Sequence, residues 1–169
     1  MSPQAEAWLS GPMPGIVPLL QPAAHALEQV RRDLPPLVRS LSADRVWARP
    51  GRSASIGYHA VHLAGSLDRL FTYARGESLS EAQRAGLARE RAIDEEQPDV
   101  VDIVALLERS LESALEQLRG MKEEDLLVPR EVGRARAPST TVGLLFHGAE
   151  HSARHAGQIV TLVRVIEPA

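Results

Sequence analysis

Apolar residues recur at spacings of three and four along four long stretches of the chain, the period of an amphipathic helix. The first stretch starts at Pro18 and carries Leu27, Val30, Leu34, Val38 and Leu41. Pro35 and Pro36 fall inside it. Pro35 lacks an amide donor and its ring crowds the preceding turn, so a kink or a split into two short pieces is expected. Ser42 to Asp44 reads as a turn before Trp47, and residues 49–52 read as a loop. The second stretch opens on Ser53 or Ser55 as cap and runs to about Ala74, with Gly76 just beyond. The third has Pro98 in its first turn, then Val101, Val104, Leu107, Leu111, Leu115 and Leu118, ending near Gly120. The fourth opens on Thr140 or Thr141 and reaches about Ile166.

The connections are uneven. Residues 78–97 are polar and weakly periodic, with Ser80 and Glu81 opening a short helix in an otherwise irregular crossover. Residues 126–139 form a second irregular stretch; nothing in it reads as a convincing strand, and a short hairpin stays open. The first 17 residues carry three prolines and two glycines without periodicity and read as a flexible tail. The expected fold is all-α, a four-helix bundle with a long crossover connection, formed as one domain by residues 18–169.

Composition narrows the chemistry. Net charge is −3 with both signs interspersed, so neither nucleic acid nor an anionic membrane is an expected partner. No apolar run approaches ~18 residues and no basic-then-apolar leader is visible, so a cytoplasmic location is expected. The chain has no cysteine, which removes disulfides, thiolate ligands and a cysteine nucleophile together. Lys122 is the only lysine, and its polar, turn-like setting argues against Schiff-base chemistry.

Histidine is where the chain becomes specific. Five of its six histidines fall in two short windows, His59 with His62 and His147 with His151 and His155. A helix turns about 100° per residue; from His147, His151 lies near 40° and His155 near 80°, inside the apolar stripe of Leu144, Ile159 and Leu162. His147 lies at its edge beside Gln158, and Gly148 is expected to leave open space on the stripe. Imidazoles at i and i+4 are neighbours that suit one metal ion. The plainer alternative is that both are buried histidines bonded to backbone or water. On the second helix, periodicity favours His59 as the inward residue. His62 shares a polar edge with Tyr58, Ser66, Arg69 and Tyr73, which could border a pocket or be an ordinary solvated face. The segment from His151 to His155 lacks the glutamate of a HExxH protease, and no P-loop, dinucleotide fingerprint or nucleophile elbow is present.

The run from Ser55 to Leu70, together with His147 to Ile159, resembles the DinB/YfiT-like superfamily, and Leu41 to Trp47 with Arg49-Pro50 fits the same pattern. The resemblance implies a four-helix bundle, usually dimeric, with one divalent metal held by a second-helix histidine and a His-x-x-x-His pair of the fourth. The family histidine precedes an apolar and then a small residue, which matches His62-Leu63-Ala64 rather than His59-Ala60-Val61. The implied ligands are therefore His62, His151 and His155. His59, His147, Tyr58, Arg69, Tyr73 and Gln158 remain as candidates for supporting the ligands or lining the pocket.

Activities in that superfamily include transfers and isomerisations with low-molecular-weight thiols. Three imidazoles suit Zn, Ni or Fe alike and leave a position for water or substrate. The expected function is a metal-dependent thiol transferase or hydrolase acting on a small molecule, with Arg69 as a holder for a substrate carboxylate. A homodimeric bundle in which the metal or the paired histidines are only structural is the competing reading.

Overall fold

The computed structural model describes residues 5–166. Seven α-helices and one hairpin follow in order: α1 (Gln21–Arg39), α2 (Ala43–Trp47), α3 (Ile56–Ala74), α4 (Glu81–Arg89), α5 (Ile93–Glu96), α6 (Val100–Gly120), β1 (Pro129–Val132), β2 (Ala137–Thr140) and α7 (Thr141–Ile166). The four long helices α1, α3, α6 and α7 make the bundle. Both α1 and α3 pack against α6 and α7, so the pairs α1/α3 and α6/α7 stand on its diagonals. The fold is all-α apart from the small antiparallel hairpin, in which Pro129 faces Thr140. No helix among the described residues is long and apolar enough to cross a membrane.

The apolar stripes meet in one core. Leu27, Leu34, Leu63, Leu67, Leu107, Leu111 and Leu115 are fully buried, each contributing about 1.5–3 kcal/mol of transfer free energy. Caps set the ends. Ser55, not Ser53, opens α3, its hydroxyl accepting from the Tyr58 amide at 2.9 Å. Thr140 Oγ1 accepts from the Gly143 amide at 3.1 Å at the start of α7. Beyond α3, Gly76 takes a left-handed φ of 79° that suits glycine.

Four expectations change. α1 does not divide at Pro35 and Pro36, which lie in its final turns; beyond them only Leu37 to Arg39 complete the helix, so few bonds depend on the lost donors. On α6, Val101 faces solvent and Ile103 takes the buried place, a rotation of the stripe at the helix start. The crossover is largely helical, through α4, a 3-10 turn at Glu90–Ala92, and α5; a Ser80/Gln83 capping box opens α4. The described part of the proline-rich tail lies on the bundle. There Ala7 and Ile16 are buried, the Ala7 amide donates to Gln29 Oε1 at 2.7 Å, and Gln21 binds both Met13 and Ile16. Residues 1–4 of that tail, and residues 167–169 of the domain, lie outside the described residues.

α2 is held by a close approach. The Trp47 ring lies so near Gly57 that a Cβ there would fall 2.5–2.8 Å from three ring carbons. Gly57→Ala is expected to cost about 1–3 kcal/mol through overpacking, measured as a lower midpoint in urea denaturation.

Candidate metal centre

α3 and α7 share the most extensive helix–helix contact in the bundle, and the histidines face each other across it. His62 on α3 meets His151 and His155, one turn apart on α7; one ring nitrogen of each lies within 4.8 Å of the others. His62 Nε2 and His151 Nε2 are 3.1 Å apart. Two nitrogens about 2.0–2.1 Å from one tetrahedral ion stand roughly 3.3 Å apart, so this spacing fits a shared metal. Among the described residues these are the three donors that converge.

The opposite ring nitrogens are held unequally. His62 Nδ1 donates to Glu90 Oε2 at 3.0 Å. A neutral ring with its proton on Nδ1 keeps a lone pair on Nε2, facing the cluster. In the metal-free protein His151 Nε2–H therefore donates to His62 Nε2, and a cation at this point would replace the shared proton. His155 Nδ1 and His59 Nδ1 are 2.9 Å apart, so one donates to the other. If His155 is the donor, its Nε2 is free for a metal. His151 Nδ1 is buried and has no hydrogen-bond partner. The donor set fits a divalent ion: three imidazoles converge, and the His62 Nε2 lone pair is aimed at its neighbours.

Electrostatics favour the neutral forms that bind metal. Burial lowers His155 most, with the charges of His151, His62 and His59 adding, to about 4. Burial, then the charge of His62, lowers His59 and His151 as well. Glu90 is buried, which raises its carboxyl, but hydrogen bonds and charge from His62 and Arg69 outweigh this and hold it below the usual range.

The other candidates separate. His59 is 8% exposed, as periodicity expects of an inward residue, yet its ring reaches His155 rather than the three-nitrogen cluster. Tyr58 stacks parallel to His62 with ring centres 5.7 Å apart. His147 is exposed, its ring 5.6 Å from that of His151, and Gln158 is exposed on the next turn of α7 beyond His155. Tyr73 stands about 16 Å along α3 from His62, beside Arg130 and the hairpin, and is not part of the cluster. The space expected at Gly148 is filled, since a Cβ there would meet Phe71 at 2.9 Å and Leu67 at 3.3 Å.

Arg69 changes role. Its guanidinium is engaged with the Glu90 carboxylate, Nη1 to Oε1 at 2.5 Å and Nη2 to Oε2 at 3.2 Å, so it is not free for a substrate carboxylate. Glu90 is the residue that periodicity missed. It lies on the crossover, 28 positions from His62, where spacing carries no information on contact. No pattern in the sequence marks it; the structure alone shows Arg69 buried beside it. A cavity of 570 Å³ under the crossover reaches Arg69 and Glu90 but is lined by no histidine.

The lowered histidines give a pH dependence with a definite sign. Below about 6.5 the unfolded chain takes up protons that the folded metal-free protein refuses, so stability falls as pH drops from 6.5 toward 4. At roughly 2–4 °C per kcal/mol for a chain of this size, Tm of metal-free protein at pH 5 should lie several degrees below its value at pH 7.5. His155→Leu should flatten that dependence.

A search of curated proteins returns no match to the chain. The model of the DinB superfamily matches residues 26–159, a span that takes in all of α3 and α6, most of α1 and α7, and every histidine of the cluster. On that match, the chain belongs to the DinB superfamily.

Proposed function

We propose that this protein is a divalent-metal-dependent enzyme whose ion is held by His62, His151 and His155. The observation that supports this most is the convergence of three imidazole nitrogens within 4.8 Å with no fourth donor among the described residues. Three protein ligands leave a tetrahedral ion one position for water or substrate, whereas structural sites close it with a fourth. An ion bound there would supply Lewis acidity, activating water for hydrolysis or holding a thiol as thiolate. The chain's own residues would position the ligands. Glu90 and His59 orient two of the ligands, and Tyr58 covers one face of His62. With no cysteine in the chain, any thiol would have to be a small external molecule. The competing reading is a structural metal, which a fourth protein ligand would favour; among the described residues three donors converge.

Elemental analysis should find near one ion, Zn, Ni or Fe, per wild-type chain and almost none in His155→Ala; full occupancy in the variant would overturn the ligand set. Because only neutral imidazole binds metal, the ion should be released as pH falls below about 6. In cobalt-substituted protein, a small thiol should add strong charge-transfer bands. A spectrum unmoved by every thiol tried, with no hydrolysis of simple esters or amides, would support the structural metal instead.

The reading includes a homodimer, carried by the family resemblance. Light scattering should report twice the 18.4 kDa chain mass at micromolar concentration, and a monomer mass would refute it.

A further inference from the structure

The crossover supplies a group to the histidine cluster that neither helix of the cluster contains. We propose that Glu90 is the positioning residue that makes His62 a metal ligand, an inference that rests on the three-histidine reading above. A single carboxylate spans two residues of α3 set two turns apart: Oε2 accepts from His62 Nδ1 at 3.0 Å, and both oxygens accept from Arg69. Glu90 and Arg69 are 6% and 9% exposed, so the pair is shielded from competing water. An imidazole on the edge of α3 can rotate and can carry its proton on either nitrogen. Accepting from Nδ1 removes both freedoms at once, leaving the Nε2 lone pair aimed at His151.

Two further contacts keep Glu90 in place. Gly65, between His62 and Arg69, has no side chain where the carboxylate lies; a Cβ there would fall 2.3 Å from Glu90 Oε1. Four residues on, Asp94 Oδ1 accepts from the Ser55 hydroxyl at 2.5 Å, tying the crossover to the first residue before α3. The crossover is thus fastened at both ends of the α3 segment that carries His62. Arg69 pairs with both carboxylate oxygens, so the Glu90 charge is balanced locally and its directional acceptance from His62 Nδ1 is what we assign to it.

Deleting Glu90 alone would leave Arg69 buried without an anion and could unfold the chain. Two double variants avoid this: Glu90→Leu with Arg69→Met, and Glu90→Gln with Arg69→Met. Both lack the ion pair, and they differ in whether His62 Nδ1–H still finds an acceptor. Cobalt titration should show the leucine variant binding roughly 10–100-fold more weakly than wild type, with much of that loss recovered by the glutamine variant. Nitrogen NMR of metal-free wild type should show His62 protonated at Nδ1 alone, and a mixture of tautomers in the leucine variant. Equal cobalt affinities in the two double variants, or Nε2-protonated His62 in wild type, would overturn the proposal. If wild type takes up no cobalt, the three-histidine reading fails, while the tautomer of His62 still decides what Glu90 does.

Discussion

The centre depends on one contact, the packing of α3 against α7. His62 and the His151/His155 pair are separated by about 90 residues, and only this interface brings their rings together. Its closeness is secured below the histidines, where Gly148 of α7 admits the Phe71 ring and Leu67 of α3. With no side chain at Gly148 the helices approach closely; a Cβ there would force the Phe71 ring or the helix to shift. The glycine on the histidine stripe therefore serves packing, not an open pocket.

The same interface determines the protonation chemistry. Burial against the core and against one another pushes His59, His151 and His155 toward the neutral form, which costs stability below pH 6.5 but keeps ring nitrogens ready for metal. The three imidazoles differ in what holds their far side: a carboxylate for His62, a second histidine for His155, and no partner for His151. Burial alone does not place a ring in the three-nitrogen cluster: His59 is the more deeply buried histidine of α3, yet its ring meets His155.

The four long helices were legible from the spacing of Leu, Val and Ile, since each must bury one stripe and that need leaves a period of 3.6 in the chain. The His151/His155 pair was legible for the same reason: residues four apart on one helix are neighbours wherever that helix goes. Ser55, Thr140 and Gly76 marked helix ends through local hydrogen bonding and backbone freedom. Periodicity alone chose His59 over His62, because it measures depth in the core and not the direction of a ring; the family resemblance pointed to His62 instead.

Tertiary structure decided what spacing cannot carry. The engagement of Arg69 by Glu90, the distance of Tyr73 from the histidines and the docking of residues 5–17 on α1 all depend on where distant segments come to rest. Glu90 sits on a polar crossover whose weak periodicity gave it no face, and a carboxylate there reads as solvated until Arg69 and His62 are seen around it. Local pattern encodes which face a helix buries, because that follows from the chain's own period. The partner that face meets is set by loop paths and packing across the whole bundle, and that is where the site acquires its chemistry.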